Sequence, residues 1–484
     1  MAIPRILRNS GLYSFVSFLQ KGAAFFLLPV YTAYLTPEDY GTLSVIQALV
    51  SFFSIFLLLS LDGAAARFHF FSVDQYFRAR IWGTILLLVL GNSVVLGLIL
   101  IIFNHWLVEP FAKGIPFYPL IFLALLATIL SPLYLFFQRW LQVTQQGGKY
   151  VINMLLNFVI LTTLNIVALV VFKLGVLGWM YATLITSLLF FLYSLIVFVP
   201  HVRFKPDKSI IVDAYKYSLP LLPHTVSSWF MSMVDRVFIN NFLGTAKTGL
   251  YSVGYQFGNV VGIIASSVNQ AFSPWFMERV QRDRQKLAEV YIFAECAVTG
   301  YCFLAFVISF FSPEVIRIMT SETYHLAWKP VVFLSFGQVF SGLYYFLSMP
   351  LWLKRTKYVF LITLISALTS VTLNYLFIPI WGIIGAAIAL CISLFVCSVW
   401  GLYLSLKAEP DIVFFWRKMY IEIFLFLLLS VSIFGIEAFF ESVSVKFFIK
   451  LLIALSVLTG LIICNKQRLI LVYKIIQKKI LIVF

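Results

Sequence analysis

Lys21, Asp235, Arg236 and Glu295 interrupt long apolar runs. A charge held in hydrocarbon costs about 2.5–3.5 kcal/mol on insertion scales, so such residues are kept for partners or for function. Cations there suit an anionic group, and carboxylates suit uptake of H⁺ or Na⁺. Uncharged polar residues gather on single helical faces around them. Ser10, Ser14, Ser17 and Lys21 form one stripe; Ser44, Gln47, Ser51 and Ser54 form a second that reaches Asp62. His224, Ser228, Ser232 and Asp235 form a third, and Ser252, Gln256, Asn259, Ser266 and Gln270 a fourth. Lipid rejects polar side chains, so these faces are expected to look toward protein or water. The plainer reading of each serine is close helix packing or a bond to its own backbone. Asp235 and Arg236 are neighbours, and successive side chains on a helix diverge by about 100°. They are therefore expected to satisfy one another poorly, with at least one facing a cavity. A lone His224 is more often simply hydrogen-bonded.

Other chemistry is not indicated. The chain has no Gly-rich phosphate loop, no H-E-x-x-H, and no Ser/His/Asp or Cys/His spacing that signals catalysis. An enzyme is not expected. Cys296, Cys302, Cys391, Cys397 and Cys464 lack any paired or metal-ligand spacing, so no metal is expected. Glu38 and Asp39, after Thr36-Pro37, read as a helix cap, not as a catalytic carboxylate pair.

Positioning those stripes is the work of an apolar chain. Of 484 residues, 62% are hydrophobic and 11% charged, against roughly 25% charged in soluble domains. Soluble enzymes, nucleic-acid binders and disordered chains are excluded. The net charge of +16 then marks helix ends at a membrane, not a nucleic-acid partner. A spanning helix needs about 20 apolar residues. Fourteen candidate spans lie at roughly 10–35, 40–66, 81–104, 117–142, 150–172, 176–199, 213–243, 249–276, 288–311, 325–352, 358–378, 383–406, 415–437 and 446–464. With the N-terminus inside, alternation puts 26 Lys and Arg on the cytoplasmic side and seven outside, a bias that supports the count and predicts that both termini are cytoplasmic. Arg67, Arg139 and Arg279 fall at cytoplasmic helix ends, as orientation anchors that could also draw in an anionic headgroup.

The chain repeats itself. Leu35, Gly41, Ser44 and Val45 match Leu243, Gly249, Ser252 and Val253, all 208 positions later, as Lys149-Tyr150-Val151 matches Lys357-Tyr358-Val359. Leu164-Asn165 and Gly175-x-x-Gly178 match Leu373-Asn374 and Gly382-x-x-Gly385 at nearly the same offset. An offset of six helices keeps both copies in one orientation, as parallel repeats. The expected fold is an all-α polytopic membrane protein with 14 transmembrane helices. It comprises a six-helix lobe (1–200), a polar cytoplasmic linker (201–212), a second six-helix lobe (213–406), helices 13–14 (407–464), and a basic amphipathic tail (465–484) along the anionic inner leaflet. The two polar faces are expected to meet across a hydrated cavity.

The segments Leu28-Pro29-Val30-Tyr31-Thr32, Leu35-Thr36-Pro37-Glu38-Asp39-Tyr40-Gly41 and Leu61-Asp62-Gly63-Ala64-Ala65-Ala66-Arg67-Phe68 closely resemble the N-terminal signature of Wzx-type polysaccharide flippases. That family lies within the multidrug/oligosaccharidyl-lipid/polysaccharide exporter superfamily. Asn374 and the stretch Gly382-Ile383-Ile384-Gly385-Ala386-Ala387 resemble its helix 11–12 connection. The resemblance implies translocation of polyprenyl-diphosphate-linked oligosaccharide units, for O-antigen, lipopolysaccharide or capsule, from the inner to the outer leaflet of the bacterial cytoplasmic membrane. It also implies alternating access, coupling to H⁺ or Na⁺ with no other cofactor, and membrane lipids and glycan polymerase or assembly proteins as partners. Under it, Lys21 and Arg236 meet the anionic head. Gln47, Ser51, Gln256, Asn259, Ser17 and His224 line the cavity. Asp235, Glu295 and Asp62 are the ion-coupling candidates. Competing readings are a lipid-linked peptidoglycan precursor flippase, a multidrug/organic-cation antiporter, a membrane glycan polymerase or transferase, and a non-transporting scaffold.

Overall fold

The computed structural model describes residues 16–483 except 17, 18, 21, 24, 72, 73, 283–286, 355, 356, 411 and 413, and excludes the side chains of 281, 282, 353, 354, 357, 464–467 and 469–483. Every regular element among the described residues is a helix, as the continuous apolar runs require of backbone that must satisfy itself in lipid. Nine of these helices are long and apolar enough to cross a bilayer, or ten when Glu322–Trp328 and Val331–Leu347, bent by 49°, count as one span.

The difference from fourteen has physical reasons. The 52-residue helix Lys357–Ala408, kinked at Gly382, holds both the eleventh and twelfth expected spans. The seventh is broken into Lys208–Ser218, Leu222–Ser232 and Val234–Leu243. The eighth is the helix Thr245–Arg282, whose polar stripe dilutes its hydropathy. The first is described only in part, with residues 10–15, 17, 18, 21 and 24 outside the described residues and the helix Leu28–Tyr34 at its end. Each shortfall but the last occurs where polar or conformational signals interrupt an apolar run.

Numbered in chain order, the main helices are α1 (Leu28–Tyr34), α2 (Pro37–Leu58), α3 (Leu61–Phe71), α4 (Gln75–Ile102), α5 (Phe122–Val143), α6 (Gly147–Ile166), α7 (Gly175–Val197), α8 (Lys208–Ser218), α9 (Leu222–Ser232), α10 (Val234–Leu243), α11 (Thr245–Arg282), α12 (Leu287–Met319), α13 (Val331–Leu347), α14 (Lys357–Ala408), α15 (Trp416–Phe439) and α16 (Val443–Val483). They form two compact units that divide between Gly249 and Leu250.

In the first unit, α2 begins with a capping box. The Thr36 hydroxyl accepts from Asp39 N–H at 3.2 Å, and the Asp39 carboxylate accepts from Thr36 N–H at 3.0 Å. Glu38 and Asp39 are thus cap residues, as their placement after Thr36-Pro37 predicted. Helix α2 ends where Leu59 and Ser60 adopt positive φ of 49° and 57°, and the freed Ser60 carbonyl accepts from Ser218 Oγ at 3.2 Å. One apolar core gathers Val45, Ile46, Leu49, Leu100, Ile121 and Leu169; another, aromatic-rich core gathers Trp82, Phe136, Phe137 and Phe198.

The basic linker is docked on this unit. Arg203 N–H donates to Ala79 O at 2.9 Å, Thr84 Oγ1 donates to Lys205 O at 3.0 Å, and Arg80 pairs with Asp207 at 3.1 Å. Helices α9 and α10 also pack here, against α2. Trp229 donates from Nε1 to Ala48 O at 3.1 Å and Ser51 Oγ at 2.9 Å, and its ring lies 4.7 Å from that of Phe52. The sequence reading grouped this seventh span with the second lobe, but these contacts carry the unit boundary past it, to Gly249.

Repeat-related residues do the same jobs in both copies. Gly175 and Gly382 both take positive φ, 55° and 59°, which side-chain-bearing residues adopt at a cost. Asn165 and Asn374 are both buried, at 2% and 0% exposure. Where α2 crosses the first turn of α11, a Cβ on Gly41 would strike the Thr245 carbonyl and one on Gly249 would strike the Pro37 carbonyl. Pro37 and Thr245 are themselves repeat mates, so the crossing is reciprocal.

In the second unit α12 packs against α13, α15 and α16. A buried ion network ties three of these together. Lys450 Nζ lies 2.6 Å from Glu437 Oε1 and 2.7 Å from Glu314 Oε1, and Lys446 Nζ lies 3.1 Å from Glu437 Oε2. The Lys450 side chain is fully buried. Helix α16 runs without a break from Val443 to Val483, so the basic tail continues the fourteenth span as helix.

Candidate functional site

Within the first unit the polar stripes of the second and seventh spans converge. Ser51, on α2, bonds to Trp229 of α9. One turn further along α9, Ser232 offers its carbonyl to Arg236 Nη1 at 3.0 Å. The helix is interrupted at Met233 (φ −133°) and restarts at Val234. Asp235 then falls in the first turn of α10, where the helix dipole favours a carboxylate.

This break overturns the expectation that Asp235 and Arg236 satisfy one another poorly. Arg236 Nη1 donates to Asp235 Oδ1 at 2.9 Å, and Arg236 N–H donates to the same oxygen at 2.8 Å. Both are buried, at 3% and 7% exposure. The 100° rule applies to an uninterrupted helix, whereas a guanidinium at a helix start can fold back over its neighbour. The pair is therefore compact and buried, and Arg236 is tied back to α9 through the Ser232 carbonyl.

The remaining stripe residues divide by environment. Gln47 is exposed and His224 half-buried. Ser44, Ser54 and Ser228 donate to carbonyls on their own helices, the plainer of the two readings given for them. Lys21 and Ser17 lie outside the described residues.

Asp62 and Arg139, assigned separately as an ion-coupling and a headgroup candidate, face one another at 3.7 Å. Arg67 stacks over Tyr217, 4.9 Å from the ring centre, and Arg279 pairs with Glu289 at 3.3 Å. Arg67, Arg139 and Arg279 thus each have a partner within the protein.

In the second unit Gln256 and Asn259 are half-buried on α11. Asn259 shares the space beside Gly262 with Gln338 of α13. Glu295 is 2% exposed, and its Oε1 receives both Lys418 and Arg468. Glu422 extends the cluster, 3.6 Å from Lys418 and accepting from Thr299 Oγ1 at 2.7 Å. Sequence reasoning missed Trp229, Gln338, Lys418 and Arg468 as members of polar clusters. Gln338 was visible as a lone amide in an apolar helix. The two cations were assigned to the cytoplasmic flank, and only the fold brings them onto Glu295.

No group of three His, Cys, Asp or Glu among the described residues could hold a metal ion. Hydroxyls, amides and a guanidinium are groups able to bond hydroxyl- and phosphate-bearing ligands.

The chain is also similar to known proteins. Residues 6–280 match the family described as Polysaccharide biosynthesis protein, and residues 220–376 match the MatE family. The curated "Lsg locus putative protein 1" of Haemophilus influenzae is 25% identical over 303 residues, 60% of this chain and 70% of the relative. Among solved structures, "Lipid II flippase MurJ, inward closed conformation" superposes with a TM-score of 0.75 at 18% identity, covering 94% of this chain and 99% of that one. An inward-facing multidrug resistance MATE transporter of the MOP superfamily gives a TM-score of 0.56 at 17% identity, covering 80% and 94%. The two folds match along most of their lengths, and the family match covers more than half of the chain. This multi-pass membrane protein belongs to the polysaccharide biosynthesis protein family of the multidrug/oligosaccharidyl-lipid/polysaccharide exporter superfamily.

Proposed function

We propose that the chain is a flippase that carries polyprenyl-diphosphate-linked oligosaccharide from the inner to the outer leaflet of the bacterial cytoplasmic membrane by alternating access, with both termini cytoplasmic. The observation that carries this reading is the polar face of the first unit. Ser51 bonds to Trp229 of α9, and the buried Asp235–Arg236 pair follows the break at Met233 in the same span. Interrupted helices at membrane depth mark substrate and ion sites in secondary transporters. A glycan head cannot cross about 30 Å of hydrocarbon unaided, and a hydroxyl- and amide-bearing path replaces the water that it leaves.

Lys21 and Arg236 are assigned to the diphosphate or to acidic sugars. Asp235, Glu295 and Asp62 are assigned as sites of H⁺ or Na⁺ uptake. Each of these carboxylates is held by a cation, respectively Arg236, Lys418 with Arg468, and Arg139. Proton or Na⁺ uptake at Asp235 would release Arg236 from it and offer the guanidinium to phosphate. Coupling and substrate binding would then share one switch.

The test is reconstitution of the full chain in proteoliposomes with a short polyprenyl-diphosphate oligosaccharide, read by a lectin that cannot enter. Protein-dependent exposure of the glycan on the far leaflet is expected, and an imposed H⁺ or Na⁺ gradient is expected to accelerate it. Lys21→Ala and Asp235→Ala variants that insert normally yet transport at the parental rate would remove the residue assignments. Faster movement of lipid II than of other glycans, or exchange of an organic cation instead, would replace the reading with one of its rivals.

A further inference from the structure

The basic end of the first unit holds a cavity that the polar stripes do not reach. It measures about 560 Å³ and opens where the end of α3, the start of α4, the end of α5 and the turn Val199–His201 come together. His69, Arg78, Trp82, Trp140, Gln145 and His201 line it. Its volume falls within the range of ordinary small-molecule sites, about 300–1,000 Å³.

The two imidazoles are wired in opposite senses. Trp82 Nε1–H donates to His69 Nδ1 at 3.0 Å. The proton of neutral His69 therefore sits on Nε2, which makes that atom a donor. His201 Nδ1 lies 3.0 Å from Val197 O, and a carbonyl can only accept. Neutral His201 therefore keeps its proton on Nδ1, and its Nε2 is an acceptor. One ring that donates and one that accepts suit a hydroxyl-bearing ligand, because each hydroxyl does both.

The wall beside His201 is aromatic. The Trp140 ring lies 5.1 Å from that of His201, an apolar surface of the kind that packs on the face of a pyranose. Arg78 adds a guanidinium fork, the group best matched to phosphate. Gln145 completes the rim with φ of 57°. For a residue with a side chain this left-handed backbone is strained, and such strain persists where surrounding structure over-determines it. The Gln145 N–H bond to Gln142 O at 3.1 Å holds it.

We propose that this cavity is a binding site for a phosphorylated sugar, with the ring against Trp140 between the two imidazoles and the phosphate on Arg78. The inference does not depend on the transport reading. A phosphorylated sugar could arrive as a soluble sugar phosphate or nucleotide sugar, or as the head of a lipid-linked glycan; the recognition chemistry is the same.

Ligand-observed saturation-transfer NMR and calorimetry on the full chain in phosphatidylethanolamine nanodiscs test it. The probes are glucose 1-phosphate, UDP-glucose, farnesyl-diphosphate-linked glucose placed in the nanodisc, methyl glucoside and inorganic phosphate. Phosphorylated sugars are expected to bind at least tenfold tighter than methyl glucoside or inorganic phosphate, and Arg78→Gln and Trp140→Leu each to weaken them by about tenfold. Binding of the soluble probes assigns a soluble source, and binding of the lipid-borne probe alone assigns a lipid source. A diazirine-bearing glucose 1-phosphate cross-linked to the parent chain, with no variant needed, should label peptides containing residues 75–82 or 137–147. The proposal is overturned if no phosphorylated sugar binds or if cross-links map elsewhere. Equal binding of inorganic phosphate, insensitive to Trp140→Leu, would overturn it too, as would displacement of the sugars by phosphatidylglycerol added to the nanodisc.

Discussion

Replacing Lys450 with Met should unlatch the C-terminal helix pair, and the cost can be worked from the geometry. The Lys450 side chain is fully buried and bridges Glu314 of α12 and Glu437 of α15. Removing one partner of a buried ion pair costs about 3–5 kcal/mol, because the other charge is left desolvated and uncompensated. Here the two carboxylates fare differently. Glu437 keeps Lys446 at 3.1 Å and has Arg317 at 3.9 Å, so it remains neutralised. Glu314 keeps less, since its Oε2 is already buried without a hydrogen bond. The loss therefore concentrates on Glu314 and should sit near the low end, about 3 kcal/mol. That is roughly a hundredfold change in the folded-to-unfolded ratio.

A second substitution isolates the cause. Lys450→Met combined with Glu314→Gln should recover most of the loss, because no unpaired charge is then left in the bundle. Lys446→Met removes bonds to Glu437 Oε2 at 3.1 Å and Glu437 O at 3.2 Å and should cost about 2 kcal/mol, less than Lys450→Met because Lys450 still neutralises Glu437. Heating membrane proteins is commonly irreversible, so the measurement is reversible unfolding in mixed micelles titrated with denaturing detergent. A Lys450→Met variant within about 0.5 kcal/mol of the parent would refute the reasoning, as would a double variant no more stable than the single one.

Three further outcomes follow from other elements. Asp207 caps α8 and is held below its ordinary value of 3.8 by hydrogen bonds from Ser209 and by the Arg80 charge. Its folded-state value is depressed, so its contribution is complete above 3.8 and is lost as pH falls through the lower folded value. Amide protection factors at the start of α8, corrected for intrinsic exchange, should fall below that range in the parent, and Asp207→Asn should flatten the pH dependence. Gly41→Ala drives a methyl into the Thr245 carbonyl and should destabilise by about 1–3 kcal/mol, with Gly249→Ala similar by symmetry; a neutral result in the same unfolding titration would contradict the close crossing. Trp229→Phe keeps the ring contact with Phe52 but loses the bonds to Ser51 and Ala48. It should lower stability by about 1 kcal/mol and, under the proposed function, slow glycan transport more than it lowers protein level in the membrane.

Periodicity and composition made the helices, the cap at Thr36 and the two-fold repetition legible, because each is a local pattern that lipid or backbone geometry enforces. Gly175 and Gly382 could be paired from spacing alone, and both prove to need the same left-handed backbone. Partnerships were legible only where chain neighbours carry them. Lys418 and Arg468 lie 123 and 173 residues from Glu295 by number, and nothing in their own stretches says that they end on one carboxylate.

Asp235 and Arg236 are the instructive case, since their adjacency was visible and its consequence was misjudged. A uniform helix through 213–243 points neighbouring side chains apart, so the misreading came from assuming continuity. The clue to the break lay in the seventh span itself, whose serines, prolines and charges make it too polar to behave as an ordinary apolar rod. Polar residues in a membrane helix both weaken the rod and supply partners for the backbone groups that a break exposes. Stripe and break are thus one signal, and a stripe that includes a charge should be read as evidence against helical continuity. Applied to this chain, the rule directs attention to the seventh span before any other, and that span carries both the indole that bonds to Ser51 and the buried ion pair.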